Sequence, residues 1–351
     1  MVVPTMEMLQ SMFTTATFTD DLYSRDPTTV ELETKVANLT GHESAMFVPS
    51  GTMGNQLCLR THLTQPPHSV LCDYRAHIYT NEAGALAMLS QAMTTTVQPK
   101  NGKYLTLEEV KANIVGEDDH YAPTRLVSLE NTIHGVVFPY SEAKRISEYI
   151  RSEYKGQIKL HLDGIPHYKN TIDIGARLWN AVVAEGITLK EYCSLFDSVS
   201  VCFSKGLSTP VGSVIVGTAP FIKKARHFKK AFGGSVRLPG ILSAACLVSL
   251  DQIIPKIAQT HVVAKQIAAR LEKLGYGFTL PVDTNMVFLD LDVLGVTEKT
   301  YQAYCEREGV QVFDYHRIVV HHQTSQEGVE KLITALTRLM DDVKSGNVQQ
   351  A

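Results

Sequence analysis

Ser198-Val-Ser-Val-Cys-Phe-Ser-Lys-Gly-Leu207 decides how the rest of the chain is read. Apolar, small and β-branched residues run without a break into Ser204 and Lys205. An unbroken run of this kind suits a strand covered on both faces. A polar residue at its C-terminal end suits the edge at which open parallel sheets place their chemistry. The same form recurs upstream in Ala45-Met-Phe-Val-Pro49, Ser69-Val-Leu-Cys-Asp73, Leu126-Val-Ser-Leu-Glu130 and Ile158-Lys-Leu-His-Leu-Asp163. Helical patterns lie between. Val30, Leu32, Val36 and Leu39 recur at helical spacing with Gly41 as a stop, and a helix through Gln56-Leu-Cys-Leu59 follows a small-residue turn. Strand and helix alternate, so the expected class is α/β with a mostly parallel central sheet.

Past about residue 240 the texture changes. Ile241–Leu274 reads as one long helical pattern, followed by strands in Asn285–Leu291 and Arg317–His322 and a last helix over Gln326–Val343. This predicts a large domain over residues 1–250 and a small C-terminal α/β domain over 251–351, with a frayed tail from Gly346.

Composition narrows the function. The 351 residues carry 33 basic and 36 acidic side chains, a net charge of −3, with 44% hydrophobic and 20% charged residues. Nucleic-acid surfaces concentrate Lys and Arg, and this balance argues against one. No apolar run approaches the ~20 residues of a membrane span. Met1-Val-Val-Pro-Thr5 lacks the charged start and apolar stretch of a secretory signal, so the expected compartment is the cytoplasm. Cys58, Cys72, Cys193, Cys202, Cys246 and Cys305 form no C-x-x-C pair and read as reduced, partly buried thiols. No Cys and His cluster has ligand spacing, so no metal is called for.

Three segments carry chemistry. Ser50-Gly51-Thr52-Met53-Gly54-Asn55, between a strand and a helix, lets backbone N–H groups approach an anion at a helix N-terminus. It is neither G-x-G-x-x-G nor a Walker loop, which argues against a nucleotide. Asp163 ends a buried strand, where a carboxylate needs a pairing partner or a ligand cation. Lys205 follows a strand at the mouth of an apolar region, a setting for an imine-forming amine. Each has a plainer reading: an ordinary N-capped turn, a helix cap and a snorkelling surface lysine. Together they supply what pyridoxal phosphate requires, namely a phosphate cradle, an imine lysine and an acid at the pyridine nitrogen.

With these in place, a longer set of segments falls into order: Phe47-Val-Pro-Ser-Gly-Thr-Met-Gly-Asn-Gln56, His77-Ile-Tyr with Glu82-Ala-Gly, Leu129-Glu-Asn-Thr132, His161-Leu-Asp-Gly164, Ala176-Arg-Leu-Trp-Asn-Ala181, Phe196–Leu207, Pro210-Val-Gly-Ser213, Gly233-Gly-Ser-Val-Arg237 and Asp283-Thr-Asn285. From about Thr5 to Leu339 the chain resembles the low-specificity threonine aldolases, pyridoxal-phosphate enzymes of the aspartate-aminotransferase fold (fold type I). The resemblance implies that Lys205 binds the cofactor covalently, Asp163 holds the pyridine nitrogen, and Ser50, Gly51 and Thr52 form the phosphate loop. It implies that His77 stacks on the ring, that His134 is a second active-site histidine, and that Arg177 and Arg317 bind the substrate carboxylate. Lys230 and Arg237 fall on positions lining the cofactor region. Read alone, His77 is better taken as a buried, hydrogen-bonded core histidine, and the arginines, Lys230 and Arg237 as solvated charges.

The expected reaction is cleavage of L-threonine or L-allo-threonine to glycine and acetaldehyde, with His77, His134 or a water held by them taking the hydroxyl proton. Fungal amino-acid racemases share the framework, so alanine racemisation is the alternative, and an inactive relative the third reading. The resemblance also implies a dimer of dimers, with Tyr23 contributed across the interface. Three departures stand out. The family's opening Arg-Ser-Asp-Thr-Val-Thr-like strand is missing before Pro4-Thr5-Met6, and its Ser and Thr are expected at the active site. Ile165–Gly175 interrupts the usual Asp-Gly-Ala-Arg run and is expected to bulge as a dispensable loop or to reflect a retained intron. Leu238-Pro239 replaces Gln and a small residue, which points to an altered substrate pocket.

Overall fold

The computed structural model describes residues 2–15, 25–164, 177–312 and 316–348, with Arg177 described in its backbone alone. Tyr23 and the Ile165–Gly175 run lie outside the described residues. The strands are β1 (Ser44–Val48), β2 (Ser69–Asp73), β3 (Met93–Val97), β4 (Thr124–Glu130), β5 (Lys159–Gly164), β6 (Ser198–Cys202), β7 (Ser213–Gly217), β8 (Met286–Phe288) and β9 (Arg317–Val319). Seven form one sheet in the order β1-β7-β6-β5-β4-β2-β3. β2 to β6 are mutually parallel, whereas β7 pairs antiparallel with both β6 and β1.

Those two reversals turn β1 back into the direction of β2–β6. The C-terminal ends of six strands therefore lie along one edge of the sheet. Ser50 follows β1, His77 follows β2, His134 follows β4, Asp163 closes β5 and Lys205 follows β6. The register aligns Glu130 with Asp163 and Asp163 with Ser200.

One expectation needs correction: β1 is an antiparallel edge strand, not a central parallel one. Its burial has another source. Met46 and Val48 pack with Leu57, Ile215 and Ile222 on one face of the sheet. Ala45 and Phe47 join the larger core of Leu129, Leu162, Val201 and Val214 on the other. Helix Gly51–His62 and helix Ala219–Ala231 cover the first face near β1, and helix Pro27–Thr40 packs on the second. An apolar run records cover on both faces but carries no trace of strand direction.

Helix Pro27–Thr40 starts at Asp26, whose carboxylate accepts from Thr29 N at 2.8 Å, and ends at Gly41 with φ of 72°, the left-handed cap expected of a glycine there. The Ile241–Leu274 pattern is two helices, Gly240–Gln252 and Ile257–Leu274, separated by a 3₁₀ turn at Ile254–Lys256 that carries Pro255. By length and composition this run is apolar enough to cross a bilayer, contrary to the sequence count. Its apolar side chains are core instead: Ala245, Cys246, Leu250 and Ile257 pack into the large core, and Ala264, Ile267 and Leu271 into a second one. That second core gathers Val287, Tyr301, Ile318, Leu332 and Leu336 around the β8–β9 pair. These two strands are three residues long and pair antiparallel, with Phe288 opposite Arg317. All six cysteines are free and buried.

Candidate active site

The site grows from the N-terminus of helix Gly51–His62. Ser50 caps it, its hydroxyl accepting from Met53 N at 3.2 Å, and the first turn contains no acidic residue. The helix's positive end therefore meets no carboxylate of its own, a suitable seat for an anion. Gly54 brings this helix hard against the sheet: a Cβ there would lie 2.9 Å from Ser200 Oγ and 3.0 Å from Ile215. Ser200 Oγ, beside Asp163 on β6, is buried with no hydrogen-bond partner among the described residues.

One turn into the helix, fully buried Asn55 gives Nδ2 to two carboxylates, Asp163 at 2.7 Å and Glu82 at 2.8 Å. Glu82 also accepts from Gln56 Nε2 at 2.5 Å and pairs with His77 Nδ1 at 2.5 Å. The His77 backbone N–H donates to Glu130 at 2.8 Å. Burial alone would lower the His77 pKa. The Glu82 hydrogen bond and the charges of Asp163, Glu82 and Glu130 outweigh it, and the pKa is raised above the ordinary imidazole value. Ligand-type atoms of His77, Glu82 and Asp163 lie within 4.8 Å of one another, the metal-like grouping found among the described residues. Asn55, Gln56 and the His77–Glu82 pair already engage these oxygens.

Lys205 is half-buried just past β6 and makes no side-chain hydrogen bond or ion pair with the described residues. Its carbonyl accepts from Ser208 N at 2.9 Å, closing a turn in which Ser208 takes φ of 65°. Ser208 Oγ meets His322 Nε2 at 2.5 Å, tying the lysine loop to the C-terminal lobe. His134 sits on the loop after β4 with φ of 51°, its ring 6.3 Å from Phe288. Thr284 Oγ1 donates to Gly135 O at 2.9 Å and Val137 N to Asp283 at 3.2 Å, so this loop is stitched to the Asp283–Asn285 segment. Arg317 is buried on β9. Arg237 is exposed beyond helix Ala219–Ala231, while Arg177 begins helix Arg177–Glu185. Leu238 is exposed, and Pro239 precedes helix Gly240–Gln252.

Lys230, one of the basic positions read from sequence, points to solvent. Its neighbour Lys229 turns inward, and its Nζ donates to Phe47 O at 2.8 Å just ahead of the Ser50 loop. The sequence reading also passed over Asn55, Gln56 and Glu130 as site groups and gave Glu82 no role. A usable signal was present for two of them, since Asn55 lies one turn inside the anion-binding helix and Glu82 five residues past His77.

The sequence profile of the beta-eliminating lyase family matches residues 1–293. The chain is 47% identical over 334 residues to the low-specificity L-threonine aldolase of Candida albicans, covering 94% of this chain and 85% of that protein. It is 37% identical to the alanine racemase TOXG of Cochliobolus carbonum, covering 98% and 87%. Among solved structures, the Leishmania major threonine aldolase superposes with a TM-score of 0.76 at 20% identity, covering 97% of each chain. This last likeness shows the fold, that of the fold type I enzymes. The chain belongs to the beta-eliminating lyase family, within its low-specificity threonine-aldolase-like branch.

Proposed function

We propose that this protein is a pyridoxal-phosphate-dependent lyase that cleaves L-threonine or L-allo-threonine to glycine and acetaldehyde. One observation carries the reading: a single sheet edge gathers an acid-free helix N-terminus, a carboxylate fixed by an amide, a half-buried lysine with no side-chain partner among the described residues, and a histidine with raised pKa. These residues fit the cofactor's three demands. Ser50, Gly51 and Thr52 would receive the phosphate, Asp163 the pyridine nitrogen, and Lys205 the aldehyde carbon; Arg237 would lie at the cofactor's rim. When bound, pyridoxal phosphate supplies an electron sink for the bond broken at the substrate Cα.

The protein's own groups do the rest. Arg177 and Arg317 would grip the substrate carboxylate, for which a guanidinium fork is suited. His77, with Nδ1 engaged by Glu82, exchanges its proton at Nε2. His77 or His134 would take the β-hydroxyl proton and so release the aldehyde. Residues 1–250 would form the cofactor domain and 251–351 the small domain, in a cytoplasmic homotetramer built as a dimer of dimers.

The test is an absorbance spectrum and an acetaldehyde assay on purified protein with added pyridoxal phosphate. A yellow protein releasing acetaldehyde from threonine, with borohydride fixing the cofactor on Lys205, is expected. Lys205→Ala should lose both colour and fixation; fixation at Lys230 would overturn the assignment. A second reading, alanine racemisation, is favoured by the 37% identity to the racemase. It would appear as D-alanine formed from L-alanine with no acetaldehyde from threonine.

A further inference from the structure

A line of buried polar groups crosses the protein from Asp163 to the far end of helix Gly51–His62. Asn55 Oδ1 is 3.2 Å from His161 Nε2, His161 Nδ1 is 2.9 Å from Ser198 Oγ, and Ser198 Oγ is 2.8 Å from His62 Nε2. His62, seven residues after Asn55 on the same helix face, lines a recess of about 430 Å³ with His68, Glu117, Arg125 and Lys159. Asn55, His161 and Ser198 are wholly buried. Leu57 and Cys58 of the same helix pack against the sheet independently of this line.

Donor and acceptor chemistry fixes the sense of every link. Two carboxylates take both N–H groups of Asn55, so its Oδ1 only accepts and His161 Nε2 carries a proton. Burial lowers the His161 pKa to about 3, so the ring is neutral and Nδ1 accepts. Ser198 must then donate to His161, and its oxygen accepts from His62 Nε2. Burial likewise lowers the His62 pKa to about 3, which leaves that ring one N–H to give. Every hydrogen bond in the line points toward Asp163 and Glu82. Because an amide interrupts it, the line suits orientation and polarisation and not proton conduction.

We propose that Asn55 is a positioning residue that holds Asp163 in its ionised, nitrogen-facing state, and that His161, backed by Ser198 and His62, fixes the orientation of Asn55. The inference rests on the reading that Asp163 faces the pyridine nitrogen. Loss of His161 would leave Asn55 Oδ1 a buried acceptor without a donor, which is relieved when the amide turns and one carboxylate loses its N–H.

The test compares two probes on full-length, cofactor-free protein: pyridoxal phosphate and its 1-deaza analogue, whose ring has carbon in place of nitrogen. The quantity read is the preference, the ratio of their dissociation constants. Wild type should prefer pyridoxal phosphate, and Asp163→Asn should abolish that preference. Asn55→Leu should cut it by about tenfold, the scale of one hydrogen bond to a charged group. His161→Leu should cut it as well, and His161→Gln should restore it, since Gln offers one donor and one acceptor. Affinity for the deaza analogue should be unchanged throughout. If Asn55→Leu does not fold, the two His161 variants carry the comparison. Full preference in both leucine variants, or equal loss of both probes, would overturn the proposal while the Asp163→Asn result stands. An unchanged preference in Asp163→Asn would overturn the reading beneath it.

Discussion

At the scale of single residues, the site is a matter of charge held out of water. Glu82 accepts from three donors, among them His77, and that pair makes stability depend on pH. Because the folded-state pKa of His77 is raised, the pair's contribution is fully present below the unfolded imidazole value of about 6.5. It is lost as pH rises through the folded value. Glu82→Gln should therefore destabilise the cofactor-free protein by about 1–3 kcal/mol near pH 5.5 and by clearly less near pH 9. Urea unfolding at the two pH values checks this; an equal loss at both would mean that His77 is not charged in the folded protein. Asp163 and Lys205 were legible in the sequence because a polar residue closing an apolar strand is conspicuous. Asn55 was passed over although it lies one turn inside the helix read as an anion seat, because its two carboxylate partners, Glu82 and Asp163, come from segments distant along the chain. Lys230 was named from sequence while its neighbour Lys229 is the one that turns inward, and one residue moves a helical side chain by about 100°.

Among elements, the helix Gly51–His62 does two jobs with its two ends. Its N-terminus faces the anion seat, and its sheet-facing side carries Asn55 and His62. Ser50→Ala removes the cap on Met53 N, with an expected loss of about 0.5–2 kcal/mol in thermal or urea unfolding. The same change should weaken pyridoxal-phosphate binding, measured by absorbance titration, while inorganic phosphate added to wild type should compete for the seat. Strand positions were read well where both neighbours are strands, as for β2, β5 and β6. They were read too long for β8 and β9, where the ladder stops after three residues. The antiparallel β7 went unread altogether, as Ser213-Val-Ile-Val-Gly217 was noted only for the glycine-containing turn before it.

For the whole molecule, the two hydrophobic cores are joined by polar ties as well as by the Ile257–Leu274 helix. His261 Nε2 meets Asn180 Oδ1 at 2.8 Å, Asn180 Nδ2 donates to Asn285 Oδ1 at 2.9 Å, and Asn285 Nδ2 donates to Val320 O at 2.6 Å. Burial lowers the His261 pKa to about 4, so the neutral ring donates throughout the working pH range. This ladder links helix Arg177–Glu185 to the strand that carries Arg317, the two elements proposed to hold the substrate carboxylate. Asn285→Leu should cost about 1–3 kcal/mol in unfolding. It should also raise KM for threonine more than it lowers kcat, as expected when a binding pair is misaligned. An unaltered KM would detach this ladder from substrate binding. The change of texture near residue 240 was legible, but the ties between the two cores are single asparagines with no periodic signature.

The sheet order also sets a schedule for synthesis. Among the described residues β1 pairs only with β7, and Ser44 waits for Gly217, 173 residues later on the chain. At about 5–20 residues per second on the ribosome, this strand stays without its ladder for roughly 9–35 s. Throughout that interval the segment leading into Ser50 is an apolar ribbon with open backbone groups, available to chaperones and proteases. Nascent chains arrested before Ser213 should be cut readily between residues 44 and 50, and those extended well past Gly217 should resist.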